Sequence, residues 1–301
     1  MKRLFVFLLL LALPVAIPLS AAAQDVTDYI AEYYEHEETG LSLPYRLILP
    51  NRYKENGSFP LVVFLHGAGE RGYENKRQLD NCVQQIADNM PNAIILAPQC
   101  THNNQWVDTP WSDGSYSTED IPESYELEAV MSLVKQICND YAVDTQRVYA
   151  MGISMGGYGV WDLMIRHNDV FAAGVAVCGA GDPSKAETLK DTPMFVFHGN
   201  GDDTVPVTGS TDMVDAIQAI GGSKAEYTEY DGAGHGIWGE VFSTPQLYAK
   251  VQGCKLSDHY ISNQESGQNI GFLPYLITFA VGITVIASVT ILIKRKQKAS
   301  A

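Results

Sequence analysis

The chain is short of basic residues. It carries 20 lysines and arginines against 35 aspartates and glutamates, for a formal net charge of −15. Between its two apolar ends the imbalance deepens to 14 basic residues against 35 acidic ones, a net of −21. Phosphate backbones attract the opposite sign, so nucleic acid is not an expected partner. An acidic body is also repelled by anionic lipid headgroups, and its charge keeps an exported domain soluble. Cysteine is equally scarce: five residues, at positions 82, 100, 138, 178 and 254, match no zinc-binding spacing and make no disulfide framework. An oxidising compartment would allow one or two disulfides, and Cys82 on a helix with Cys100 after the next strand is the pair the sequence offers. Cys178 is expected to be a small buried hydrophobe, and Cys254 the odd one out. There is no internal repeat, and no pattern calls for a metal or a cofactor.

Long uncharged runs are confined to the two ends. Lys2-Arg3 precedes an apolar run from Leu4 to Leu19, followed by Ala21-Ala22-Ala23-Gln24. A basic start, an apolar middle and small residues before a cleavage point predict a signal peptide over residues 1–23. At the other end, Gly271 to Ile293 is 23 residues without a charge. As a helix it would cross about 30 Å of hydrocarbon. Lys294-Arg295-Lys296 and Lys298 follow, and such a flank stays cytoplasmic. A Leu-Pro-x-Thr-Gly wall-sorting signal is absent. The expected organisation is a signal peptide (1–23), one domain (24–253), a polar linker (254–270), a transmembrane helix (271–293) and a cytoplasmic basic tail (294–301). The protein is then a single-pass cell-membrane protein with its domain outside. About 230 residues are enough for one complete core.

Strands are expected near Tyr45–Leu49, Leu61–Leu65, Ala93–Leu96, Arg147–Met151, Ala172–Val177, Met194–Phe197 and Ala225–Tyr230. Helices lie between most of them. Leu127, Val130, Met131, Val134, Ile137 and Tyr141 recur at helical spacing and mark an amphipathic helix. Alternating β and α predicts an α/β fold, a mostly parallel central sheet flanked by helices.

The segment with the most chemical content is Gly152-Ile153-Ser154-Met155-Gly156-Gly157, between the strand at 147–151 and a helical run from Tyr158 to Arg166. Gly-x-Ser-x-Gly at a strand-to-helix junction is a nucleophile elbow, with the serine hydroxyl held exposed above the sheet. A serine needs a base to take its proton, and the base needs a carboxylate to orient it. In such folds the order is Ser, Asp or Glu, then His. The strand at 194–197 runs into His198-Gly199-Asn200-Gly201-Asp202-Asp203. The strand at 225–230 runs into Asp231-Gly232-Ala233-Gly234-His235-Gly236. Ser154, then Asp202 or Asp203, then His235 satisfies the order. His66 and His198 end strands and are expected to brace loops. His36, His102, His167 and His259 match no motif. Two backbone N–H groups should stabilise the oxyanion of the acyl-transfer transition state, one from Met155 and one from Ala68 in the glycine-rich loop after the strand at 61–65.

The insert from Thr101 to Ser117 carries Trp106 and Trp111 and follows a strand end, so it can lie over the site. Exposed indoles stack on sugars and aromatic acyl groups; packing on the domain itself is the alternative. Trp238, three residues after His235, is placed to wall an acyl pocket. Trp161 is expected in the core.

Taken together, Leu65-His66-Gly67-Ala68-Gly69-Glu70-Arg71-Gly72, Ala97-Pro98-Gln99-Cys100, the elbow, Trp161-Asp162-Leu163 and Phe171 to Gly179 are similar to those of one group. The chain resembles the esterase or "predicted peptidase" branch of the α/β-hydrolases, near polyhydroxybutyrate-depolymerase-like and feruloyl-esterase-like enzymes, over roughly Glu38 to Gly253. The resemblance implies Ser154 as nucleophile and His235 as base. It also implies Asp202 as the acid, four residues after His198 and four before Pro206. The implied activity is a serine hydrolase, foremost a carboxylic-ester hydrolase acting on an extracellular ester, with a carbohydrate-linked acyl group as one such substrate. A peptidase on peptide substrates is the nearest competitor, and an inactive adhesion module on the same fold is a third reading.

Overall fold

A computed structural model describes residues 29–259. The expected signal peptide, membrane helix and basic tail lie outside those residues. Among the described residues no helix is long and apolar enough to cross a membrane.

The strands are β1 (Ile30–His36), β2 (Leu41–Ile48), β3 (Phe59–Leu65), β4 (Ile94–Pro98), β5 (Val143–Ile153), β6 (Ala173–Val177), β7 (Met194–Gly199) and β8 (Ala225–Tyr230). They form one eight-stranded sheet in the order β1-β2-β4-β3-β5-β6-β7-β8. The β1–β2 and β2–β4 pairs are antiparallel, and every pair from β4 through β3 to β8 is parallel. The helices are α1 (Val83–Asn89), α2 (Tyr125–Asp140), α3 (Met155–Arg166), α4 (Thr208–Ala219), α5 (Trp238–Val241) and α6 (Pro245–Gln252). This is the expected α/β-hydrolase arrangement.

The sheet separates two cores, and β3 shows why its residues must form a central strand. Leu61, Val63 and Leu65 face one core, with residues of α2, α3 and α4; Val62 and Phe64 face the other, with residues of α1, α5 and α6. All five side chains are fully buried. A continuous aliphatic and aromatic run is stable only where both faces are covered, each side chain contributing about 1.5–3 kcal/mol of burial. The amphipathic helix expected around Leu127–Tyr141 is α2, capped by Ser124, whose hydroxyl accepts from the Leu127 N–H at 3.2 Å.

Each expected strand is present, the one at 45–49 starting earlier, at Leu41. The strand without a sequence expectation is β1. It is an edge strand that is largely exposed, so Ile-Ala-Glu-Tyr-Tyr-Glu-His lacks an apolar alternation. Two other expectations are corrected. Cys82 and Cys100 do not form a disulfide, and both are free and buried. They pack in the cores on opposite sides of the sheet, which keeps their sulfurs apart. The first residues of the expected linker are docked on the domain. The Leu256 N–H donates to Gln146 O at 2.9 Å, and His259 is buried with Nε2 at 3.1 Å from Asn168 O.

Candidate active site

The C-terminal ends of β3, β5, β7 and β8 converge on one edge of the sheet, where open α/β folds build their sites. At the end of β5 the chain turns through Ser154, whose φ of 54° and ψ of −120° lie outside the ordinary helical and strand regions. A non-glycine residue there carries strain of about 1–3 kcal/mol. Its neighbours hold it in place. The Ser154 N–H donates to Val177 O at 2.8 Å, and its carbonyl accepts from the Gly157 N–H at 2.7 Å. Glycine at 156 is a packing requirement, since a Cβ there would overlap the carbonyl oxygen of Leu65 at the end of β3.

The structure brings three of the sequence-derived residues into line. Ser154 Oγ is 2.7 Å from His235 Nε2, and His235 Nδ1 is 2.7 Å from Asp202 Oδ2. The other carboxylate oxygen, Oδ1, accepts from the backbone N–H groups of Thr204 at 2.9 Å and Val205 at 3.0 Å. Burial alone would raise the Asp202 pKa. The His235 hydrogen bond, the two backbone donors and the nearby imidazole outweigh burial and hold it below the usual carboxylate value. Asp203 is exposed, and Thr204 Oγ1 lies 3.4 Å from its carboxylate.

The loops carrying acid and base are fastened together. The Gly201 N–H donates to Ala233 O at 2.9 Å, and Asn200 Oδ1 accepts from the Gly232 N–H at 2.7 Å. Asn200 Nδ2 reaches Glu229 Oε1 at 2.9 Å and Asp231 Oδ1 at 3.0 Å. Asn200 was not among the expected site residues. Its signal is an amide inside a Gly-Asn-Gly turn, where a side chain can substitute for backbone partners.

The expected oxyanion donors flank the nucleophile. Met155 is the first residue of α3, where a helix leaves its N–H groups unpaired within the helix. Ala68 opens the short turn Ala68–Glu70 directly after Gly67, and a Cβ on Gly67 would sit 3.7 Å from Ser154 Cβ. Two residues brace this turn. The fully buried His66 ring lies with Nδ1 2.6 Å from Gly67 O, and its Nε2 accepts from the Cys100 N–H at 2.9 Å. An acceptor role for Nε2 makes Nδ1 the donor, so the ring is neutral. Burial is the main cause pushing its pKa down to about 4. Arg71 donates to Ala68 O at 2.9 Å and to Asn104 O at 3.1 Å, with its guanidinium 5.7 Å from the centre of the Trp111 ring.

The tryptophans separate by environment. Trp106 is fully buried and donates its indole N–H to His66 O at 3.0 Å. It supports the oxyanion turn from beneath and presents no face for stacking, which corrects its expected substrate role. Trp111 is partly exposed and packs against the core. Its indole nitrogen is buried without a hydrogen-bond partner among the described residues. Trp238 meets the His235 ring edge-on, with ring centres 5.4 Å apart, and is partly exposed. Cys178, at the end of β6, is buried as expected but lies against Asp202; burial pushes its thiol up to about 12. Ligand atoms of Cys178, Asp202 and His235 lie within 4.8 Å of one another. The carboxylate and imidazole are committed to each other by the 2.7 Å contact between His235 Nδ1 and Asp202 Oδ2.

Comparisons with known proteins bear on the family and the fold. The chain is 25% identical over 146 residues to the bifunctional acetylxylan esterase/xylanase XynS20E of Neocallimastix patriciarum, covering 48% of this chain and 20% of that protein. It is 24% identical over 193 residues to "Probable feruloyl esterase C" of Aspergillus flavus, covering 63% of this chain and 66% of that one. The chain therefore spans between a fifth and about two thirds of these relatives. Among solved structures it is similar to a thermostable esterase, at 33% identity and a TM-score of 0.67, over 76% of this chain and 64% of the other. A ferulic acid esterase at 19% identity, with a TM-score of 0.57 over 74% of this chain and 97% of the other, shares the fold. The Esterase family model, described as "Putative esterase", matches residues 37–266. That match runs through every strand of the sheet except β1, and the chain belongs to the Esterase family, within the α/β-hydrolase superfamily.

Proposed function

We propose that the protein is an extracytoplasmic serine hydrolase that cleaves carboxylic esters through an acyl-enzyme. The observation that carries the proposal is the unbroken line from Ser154 Oγ through His235 to Asp202, at 2.7 Å for each contact. In this mechanism His235 Nε2 takes the hydroxyl proton as Ser154 Oγ attacks the ester carbonyl. Asp202 keeps the imidazole oriented and stabilises its positive charge. The N–H groups of Met155 and Ala68 receive the oxyanion, each worth about 10²–10³ in rate. The tetrahedral adduct collapses by breaking the bond to the alkoxide, which leaves with the proton from His235. Water then repeats the sequence and frees the acid and Ser154.

The substrate is an ester of an acyl group on a carbohydrate. Relatives whose names state acetylxylan and feruloyl esterase support that class, and Trp111 and Trp238 are aromatic, partly exposed and beside the site. The run Gly271–Ile293 with its basic flank supports anchorage by one C-terminal helix, with the hydrolase domain outside. Protease added to intact cells should then release an active soluble fragment; protection until lysis would refute the orientation. For the chemistry, a fluorophosphonate probe should label the wild-type protein and not Ser154→Ala. Turnover of aryl acetates and feruloyl esters should fall at least about 10³-fold in that variant. Wild-type turnover by a clean Ser154→Ala preparation would overturn the assignment.

A further inference from the structure

Asp202 is contacted by a second imidazole that the relay does not require. His198, the penultimate residue of β7, is fully buried. Its Nε2 lies 3.1 Å from Asp202 Oδ2, the same oxygen that faces His235, and 3.1 Å from Val205 O. Its Nδ1 lies 2.7 Å from Ser210 Oγ, at the start of α4, and that hydroxyl is also 3.2 Å from Gly179 O.

The partners assign the protons. Nε2 faces two oxygens that can only accept, a carboxylate and a carbonyl, so it carries the hydrogen. Nδ1 faces the Ser210 hydroxyl, whose single hydrogen serves either Nδ1 at 2.7 Å or Gly179 O at 3.2 Å; directed at the nearer Nδ1, it satisfies the neutral ring. The ring is thus satisfied while neutral, consistent with burial, the main cause holding its pKa below the ordinary histidine value. Asp202 then receives four N–H donors: His235 and His198 on Oδ2, Thr204 and Val205 on Oδ1.

We propose that His198 is a positioning residue for the relay: by donating from Nε2 to Asp202 Oδ2 it divides that oxygen between two imidazoles and limits how strongly the carboxylate holds the proton on His235. The consequence follows from charge. A carboxylate relieved of one donor carries more charge on the oxygen facing His235 and stabilises the charged imidazolium more. His235 then holds its proton more tightly, and turnover falls because less of the base is free. The other ionisable groups facing this carboxylate and its partners are few. The Cys178 thiol from β6 lies against Asp202 and is held neutral by burial. The Tyr158 hydroxyl from α3 is within electrostatic range, and burial raises its pKa. Asp203, the next residue, is exposed. Cys178 is already hydrogen-bonded to Asp202 in the wild-type protein and Tyr158 donates to Trp111 O, so neither replaces a donor lost from His198.

The proposal rests on the serine-hydrolase reading for its meaning, but its test does not need turnover. In the full chain with ¹⁵N-labelled histidine, the wild-type His198 resonance should report the tautomer protonated at Nε2. A ring protonated at Nδ1 alone cannot donate to Asp202 and would overturn the proposal without any variant. The second measurement is the titration midpoint of the His235 imidazole, with the acid limb of the kcat/KM profile on p-nitrophenyl acetate beside it. His198→Leu removes the donor and should move both upward by about one pH unit. His198→Gln places an amide N–H near the position of Nε2 and should restore the midpoint most of the way. An unmoved midpoint in His198→Leu, or equal displacement in both variants, refutes the assignment. A wild-type protein that hydrolyses no ester would instead refute the proposed function and leave the titration to decide the role of His198.

Discussion

Acid should destabilise this domain through His66 by an amount the structure allows one to work out. The ring is fully buried and occupied at both nitrogens, and its folded pKa is pushed from 6.5 to about 4, chiefly by burial. In the unfolded chain the same residue takes a proton near its ordinary value. Between the two values the unfolded state binds the extra proton, so stability falls as the pH drops. Above the unfolded value there is no penalty; below the folded one it is complete. A gap of about 2.5 units corresponds to about 3 kcal/mol in full, of which about 2 kcal/mol is lost between about pH 7 and pH 5. That is a large share of the roughly 5–15 kcal/mol that stabilises a typical domain. His198 and His259, whose pKa values burial also lowers, act in the same direction. The contribution of His66 is isolated by urea unfolding of the full chain and of His66→Gln, followed by tryptophan fluorescence at several pH values. The variant should be less stable near neutrality, because the amide replaces the imidazole imperfectly at the Cys100 N–H. Its loss between about pH 7 and pH 5 should be smaller than that of the wild type by about 2 kcal/mol. Parallel losses in the two proteins would refute a neutral, buried His66.

Four further substitutions probe the acid and the elbow, two of them as controls. Asp202→Asn should lower kcat by about 10³–10⁴-fold, as loss of the orienting carboxylate does in triad enzymes, while exposed Asp203→Asn stays within about twofold; equal losses would contradict the choice of Asp202. Gly156→Ala drives a Cβ into the carbonyl of Leu65 and should cost about 1–3 kcal/mol or more, with loss of fluorophosphonate labelling. Gly239→Ala, where a Cβ meets nothing within 4 Å, should be neutral or slightly stabilising when the two glycine variants are compared by thermal melting.

Much of the fold was legible because most of the strands are buried on both faces. Leu61–Leu65 and Ala173–Val177 are runs of apolar residues whose only stable place is a covered central sheet. The edge strand β1 was not legible, since an exposed strand is chosen by pairing with β2 rather than by its own side chains. The candidate site was legible where chemistry demands one residue type at one place: a serine between glycines, a carboxylate after a strand, a histidine in a glycine-rich loop. It was not legible where the same residue type serves two environments. Trp106 and Trp111 lie in one loop, yet only the three-dimensional path sends one indole under His66 and leaves the other beside Arg71. His198 reads as a loop brace from its neighbours in sequence; its contact with Asp202 depends on how the loop after β7 folds back.

The fastening of the acid loop to the base loop has a consequence for the order in which the molecule becomes reactive. The nucleophile sits at the middle of the sheet, but its proton acceptor arrives 81 positions later, after β8 has docked against β7. Until that last strand is in register, Ser154 is an ordinary alcohol. A partly folded chain therefore carries no hydrolytic activity toward its surroundings. The appearance of a serine that reacts with phosphonates thus marks the completion of the whole sheet and can serve as a clock for its folding.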